Sequence, residues 1–279
     1  MKITIGFQVA PQHGDFADMR KAWMEAEALG ADCLYVSDHF NTLVLDEAQA
    51  TRGEGGGKTV RAKMFEATIV QAAMAMTTTR PRIGCIVHAN SYRNPNLLAD
   101  IARTIDHASN GRYILGIGTG YLKADYDDYG YDFGTQKDRA LALARDVPII
   151  KARFAKLVPP PLGPMPLLIA SMGERIGMRI VAEHADIWHV FGYIETVREK
   201  IAAMRVICRE VGRNFDDLEL ASYYYPQMMG GRDSDPSTFV KEGIRHIVLV
   251  AEGPKWDLGQ LREVLSWRRS FETQAAREK

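Results

Sequence analysis

Three features of the 279-residue sequence predict an α/β chain folded as a (β/α)8 TIM barrel. Short apolar runs alternate with helical patterns eight times, almost to the C-terminus. Strands alternating with helices run parallel through right-handed crossovers, and eight such units can close into a barrel. Most of the runs end in polar residues and glycines, as strands do when they feed loops at a barrel mouth. The length suits one barrel of about 250 residues, so 1–279 reads as a single domain. An open, doubly wound sheet is the main rival topology.

The elements follow in order. Ile3 to Val9 is the first strand. Asp15 or Asp18 can cap a helix reaching Leu29, with Gly30 as its stop. Cys33 to Ser37 is strand two, and a helix covers about Met64 to Thr78. Arg82 to Ala89 is strand three. Pro95 opens a helix running to about Ser109, because proline is tolerated in a first helical turn. Tyr113 to Ile117 is strand four, followed by a long helix near Gln136 to Leu157. Strand five is Leu167 to Ala170, with a helix after Gly173. Strand six is Asp186 to Val190, with a helix at about Thr196 to Val211. Strand seven is Leu218 to Tyr224, with a short helix from Pro236. "HIVLVA" is strand eight, and a final helix starts near Leu258. Two segments interrupt the alternation. Asn41 to Lys63 contains "RGEGGGK" and is too long for an ordinary βα loop, which predicts a mobile lid. Val158 to Pro166, "VPPPLGPMP", predicts a stiff connector rather than a domain boundary.

Composition narrows the function. Lysine plus arginine is 35 and aspartate plus glutamate is 35, so net charge gives no reason to propose nucleic acid or an anionic membrane as partner. No apolar run approaches the roughly 18 residues of a membrane span. Cys33, Cys85 and Cys208 form no CxxC pair and are odd in number, which argues against a disulfide framework. With an N-terminus that reads as a strand, not a leader, the expectation is a cytoplasmic protein.

The strand ends deliver Ser37, Asp38 and His39; His88, Asn90 and Tyr92; Gly116 to Tyr121; Ala170 to Glu174; Trp188 to Gly192; and Tyr223 to Gln227. Imidazoles, aromatics, amides and glycines at one end suit a planar polar ligand better than a bare metal. No HxH or HExxH spacing appears, so no metal is expected. Read alone, His39 also fits a half-buried histidine bonded to a loop carbonyl, and Asp38 a loop-orienting residue. "GIGTG" lacks the ending of a P-loop and reads as a tight turn. "ASMGERIG" is either a structural turn or a phosphate site, since a small-residue turn entering a helix presents backbone N–H groups to an anion.

Taken together, "LGADCLYVSDHF", "RIGCIVHANSYRNPNLLADIARTIDHASNGRYILGIGTGY", "LLIASMGERIGMRIVAEHADIWHV" and "GIRHIVLV" resemble the luciferase-like monooxygenase superfamily, in its deazaflavin (coenzyme F420)-dependent oxidoreductase branch. The resemblance covers nearly the full length. It implies a luciferase-like TIM barrel with coenzyme F420 across its mouth. Asp38 and His39 match the motif pair near the deazaflavin ring, with His39 as the catalytic candidate. Cys85 and Ile86 match a place where the family often has a non-prolyl cis peptide supporting the ring. Gly118, Thr119 and Gly120 match the loop passing the ring. Ala170, Ser171, Met172 and Gly173 match the segment holding the cofactor phosphate. Relatives that oxidise glucose 6-phosphate carry a glutamate where this chain has Tyr121, and a tryptophan where it reads "NTLV". That argues against a sugar phosphate as substrate.

The expected function is therefore F420-dependent hydride transfer to or from a small organic molecule. The alternatives are an FMN-dependent monooxygenase on the same fold, or a non-catalytic barrel that binds a flavin or deazaflavin. A homodimer is also expected. The helix Met64 to Met76 has one apolar side of Phe65, Ile69, Ala72, Ala73 and Met76 and another of Ala67, Val70 and Met74. A barrel helix needs only one apolar stripe, and the helix near Asn96 to Ser109 covers part of the second. The resemblance implies dimers too.

Overall fold

The period-2 alternation of β1 (Thr4–Val9) sets the pattern for the whole molecule. Ile5, Phe7 and Val9 face outward and join the shell formed with Met19 and Trp23 of α1 (Phe16–Leu29). Gly6 and Gln8 face inward, Gly6 against the ring of Tyr35 and Gln8 under the hydroxyl of Tyr223. The computed structural model describes residues 2–44, 58–60, 62–173, 175–226 and 235–277.

The remaining strands are β2 (Cys33–Val36), a hairpin of β3 (Thr42–Val44) and β4 (Lys58–Val60), β5 (Arg82–Cys85), β6 (His88–Ala89), β7 (Tyr113–Gly118), β8 (Leu167–Ala170), β9 (Ile187–His189), β10 (Glu219–Tyr223) and β11 (His246–Ala251). Between them run α2 (Ala67–Thr77), α3 (Pro95–Ala108), α4 (Lys123–Tyr129), α5 (Gln136–Phe154), α6 (Gly177–His184), α7 (Ile194–Glu210), α8 (Ser237–Lys241) and α9 (Gly259–Arg277). The barrel strands pair in parallel in the order β5, β2, β1, β11, β10, β9, β8, β7, and the β5–β7 pairing closes the ring. This is a closed eight-stranded (β/α)8 barrel, as expected from the sequence. Its inner core holds Tyr35, Ile86, Ile114, Leu168, Ile187 and Val248. Among the described residues, no helix is long and apolar enough to cross a membrane.

Local signals act where they were expected to. Gly30 ends α1 in the left-handed region at φ 107°, and Pro95 sits in the first turn of α3 behind the Asn94 cap. The proline-rich connector lies on α3. His107 Nε2 donates to the Pro160 carbonyl at 2.8 Å, and the Leu162 N–H donates to Asp106 at 2.8 Å. Of the expected lid, β3 and β4 pair as an antiparallel hairpin, while residues 45–57 and 61 lie outside the described residues.

Two expectations need correction. Strand three is not continuous over Arg82 to Ala89 but breaks into β5 and β6. The non-prolyl cis peptide expected at Cys85-Ile86 lies one bond later, at Ile86-Val87. The Ile86 N–H donates to the Val36 carbonyl at 2.9 Å, which keeps the Cys85-Ile86 peptide in the β2 ladder and moves the break past it. A Cβ on Gly116 would lie 1.8 Å from the Cys85 carbonyl oxygen, so only glycine lets β7 pass this break. The helix expected after Gly173 runs from Gly177. It opens on a residue with no Cβ to meet the Ser171 hydroxyl, which lies 1.9 Å from where that atom would be.

Candidate active site

The tip of β2 sends Asp38 and His39 to different neighbours. His39 Nδ1 lies 2.8 Å from Asp125 Oδ2, and the His39 ring meets Tyr121 edge-on at 5.3 Å. A carboxylate only accepts, so the proton of this hydrogen bond sits on Nδ1. His39 Nε2 has no partner among the described residues. Asp125 is fully buried on the short helix α4 and also accepts from Tyr92 and from the backbone of Phe40 and Asn41. Burial alone would raise its pKa; the bonds from His39, Tyr92 and Asn41 outweigh burial and lower it.

Asp38 is 2% exposed and has both oxygens committed. Arg93 reaches them with its two Nη atoms at 2.5 and 3.0 Å, and His88 Nδ1 lies 3.0 Å away. Burial opposes its charge, but His88 and Arg93 prevail and hold its carboxyl far below the usual range. The network continues inward: His88 Nε2 is 3.3 Å from the Tyr113 hydroxyl, which donates to Gln71 Oε1 at 2.6 Å. Arg93 also pairs with Glu66, the residue that caps α2. Asp38 thus braces the base of the mouth, whereas His39 stands half-buried at its edge.

The other expected residues ring this pair. Gly118 ends β7 and lies between Ala89 and Ala170 in the sheet. The Gly120 carbonyl accepts from Arg139 Nε at 3.1 Å, and Thr119 adjoins the Tyr126 hydroxyl at 3.5 Å. The Ile86 carbonyl accepts from the Tyr223 hydroxyl at 3.2 Å, across the barrel. Cys85 is buried, which pushes its thiol up and away from the reactive thiolate. Ala170, Ser171 and Met172 are half-buried and Gly173 is exposed, with no atom within 4 Å of a Cβ built on it. Among the described residues, no side chain caps α6.

Asp125, Arg93, Glu66 and Gln71 were not singled out from the sequence. Asp125 sits five residues past the "GTG" turn in "KADYDDY", a segment with no apolar stripe to mark a helix. Nothing local marks Arg93, which lies between the polar turn Asn90–Tyr92 and an amphipathic helix.

His189, at the end of β9, packs against the Tyr223 ring at 4.4 Å, and neither ring nitrogen has a hydrogen-bond partner among the described residues. Burial, and to a lesser degree the neighbouring charge of His246, lowers its pKa from 6.5 to about 3. The folded protein therefore keeps the ring neutral while the unfolded chain takes up a proton. Between about pH 6.5 and 3 the unfolded state binds more protons, so stability falls as pH drops, by about 1.4 kcal/mol per unit. His189→Phe should remove this slope. The stability difference between variant and parent, from urea midpoints, should move by about 2 kcal/mol in favour of the variant from pH 7 to pH 5. Parallel curves would mean that His189 ionises in the folded state.

A family model for the luciferase-like monooxygenases matches residues 2–228. The chain belongs to this family. An F420-dependent glucose-6-phosphate dehydrogenase of Amycolatopsis mediterranei is 26% identical over 200 residues, covering 66% of this chain and 54% of that protein. A phthiodiolone/phenolphthiodiolone dimycocerosates ketoreductase of Mycobacterium tuberculosis is 25% identical over 253 residues, covering 82% and 65%. The chain thus spans roughly half to two thirds of the length of these relatives. Among solved structures, an F420-dependent secondary alcohol dehydrogenase bound to an F420-acetone adduct superposes with a TM-score of 0.74 at 16% identity, over 93% of this chain and 96% of that one. A type II Baeyer-Villiger monooxygenase from Pseudomonas putida in complex with FMN gives 0.65 at 12% identity, over 95% and 96%. At such identities the likeness is one of fold.

Proposed function

We propose that this luciferase-like protein is a coenzyme F420-dependent oxidoreductase that moves a hydride between the deazaflavin and a small organic substrate. The observation that carries the reading is His39 at the β2 tip, bonded to a buried carboxylate through Nδ1 and leaving Nε2 without a partner among the described residues. Relatives whose names include F420 support it.

The residues at the mouth fit such a group. The half-exposed segment Ala170, Ser171, Met172 and Gly173, with open space beside Gly173 and an uncapped helix behind it, would hold the phosphate. Gly118, Thr119, Gly120 and Ile86 would line the ring, with Cys85 behind them. Bound there, the deazaflavin supplies hydride chemistry that no side chain can. The chain's own part is to orient and to handle a proton. His39 Nε2 gives or takes the proton that balances the hydride. Asp38 acts from beneath, fixing Arg93 and His88. Tyr121 places an aromatic edge beside His39, which favours an uncharged substrate over a sugar phosphate.

A fluorescence titration tests the cofactor. Coenzyme F420 should bind with a micromolar or tighter Kd and FMN more weakly. FMN binding as tightly or more tightly would favour a flavin monooxygenase. F420 binding without any hydride exchange would favour a non-catalytic binder.

We further propose that the protein works as a homodimer. The inward face of α2 buries Ala67, Val70 and Met74. Its outward face leaves Ile69 66% and Met76 73% exposed, and Leu97 of α3 is 52% exposed. A second copy of this surface would cover them. Light scattering should report a dimer at micromolar concentration, and Ile69→Asp should shift it towards monomer. A monomeric parent protein would overturn this.

A further inference from the structure

We propose that Asp125 is the positioning residue of His39: it holds the imidazole proton on Nδ1 and so keeps Nε2 as the nitrogen that faces substrate. This deepens the hydride-transfer reading and rests on it for the use made of Nε2.

The argument starts from the donors around Asp125. Oδ1 accepts from the Phe40 N–H at 3.1 Å, the Asn41 N–H at 2.7 Å and Asn41 Nδ2 at 3.1 Å. Oδ2 accepts from the Tyr92 hydroxyl at 2.9 Å and from His39 Nδ1 at 2.8 Å. Five donors converge on one fully buried carboxylate. A protonated carboxyl would lose acceptor capacity, so the group is ionised. Among the described residues, His39 is the one basic side chain within salt-bridge distance of it. Arg93 and Arg139, the nearby guanidinium groups, are bound to Asp38 and Glu66 and to loop carbonyls.

The helix that carries Asp125 is built to deliver it. Of α4, Asp125 and Tyr126 are the buried residues, while Lys123 and Asp127 pair on the outside. Tyr126 packs edge-on against Tyr92 at 5.2 Å, and Gly130 stops the helix in the left-handed region at φ 67°. One turn of helix thus drives one carboxylate under the β2 tip. A purely structural reading is available, since Asp125 also anchors the root of the long loop through Phe40 and Asn41. The two readings separate in Asp125→Asn. The amide oxygen can still accept the Phe40 and Asn41 N–H groups, so the anchor survives. The amide nitrogen then faces His39, donates to Nδ1 and drives the proton to Nε2.

Nitrogen-15 NMR of the cofactor-free protein, at a pH where the imidazole is neutral, reads this directly. His39 is assigned by its loss in His39→Gln. In the parent protein the proton should be on Nδ1, and in Asp125→Asn on Nε2. Turnover in Asp125→Asn should fall about 10²–10⁴-fold with little change in KM, the pattern for a wrong tautomer. Asp125→Glu should restore the Nδ1 tautomer. A proton on Nε2 in the parent protein overturns the proposal without any variant. So does an Asp125→Asn protein that keeps the parent tautomer, or one with full turnover. If the tautomers behave as expected but no F420-dependent turnover exists, the functional reading fails and the positioning role stands.

Discussion

His39→Ala should lower F420-dependent turnover by about 10²–10⁴-fold, the scale of a lost general acid or base, and leave the protein folded. The fold should tolerate the change because His39 is half-buried and, among the described residues, makes a single side-chain hydrogen bond, to Asp125. The Phe40 and Asn41 N–H groups and Tyr92 keep Asp125 supplied with donors when the imidazole is gone. The loss should appear in kcat more than in KM, since a proton in flight is bound more tightly in the transition state than in the ground state. A variant with parent turnover would reduce His39 to a loop-supporting residue. A variant that unfolds would show that the β2 tip depends on the His39–Asp125 bond more than its exposure implies.

The barrel was legible because its evidence is repeated. Each strand–helix alternation is weak alone, but Gly30, Pro95 and the eight apolar runs agree with one another. The site was half legible. His39 stood out because an imidazole at the end of an apolar strand has no packing reason to be there. Asp125 did not, because its meaning lies in a contact across 86 residues of sequence, on a helix with no periodic pattern to announce it. Asp38 is placed near the ring by the family motif it shares with His39. In the fold Asp38 bonds to Arg93 and His88, partners 50 or more residues away that carry no local signal. The strand-three break was missed because it is met by a glycine on another strand, where Gly116 makes room for the Cys85 carbonyl. Gln71 gave no signal on a helix that reads as apolar on two sides; it is the buried partner of Tyr113.

Arg93→Met should destabilise the protein by about 3–5 kcal/mol, read as a fall in urea midpoint with little change in slope. Arg93 and Asp38 are 10% and 1% exposed, and the guanidinium holds both carboxylate oxygens. Methionine keeps most of the length but leaves Asp38 with His88 alone. A buried carboxylate that loses its cation bears its full desolvation cost. Asp38→Ala should also destabilise, though less, because Arg93 keeps Glu66 as its partner, and so should not act on cofactor affinity alone. The double variant Arg93→Met with Asp38→Asn removes both charges and should be less destabilised than the sum of its parts, by at least about 1 kcal/mol. Glu66→Gln should cost much less. The Glu66 side chain is 38% exposed, where ion pairs contribute about 0–1 kcal/mol, and glutamine still supplies an oxygen to the Ile69 N–H that Glu66 caps. If Arg93→Met stays within 1 kcal/mol of the parent, water or a local shift must neutralise Asp38. The brace beneath the mouth would then be softer than its geometry indicates.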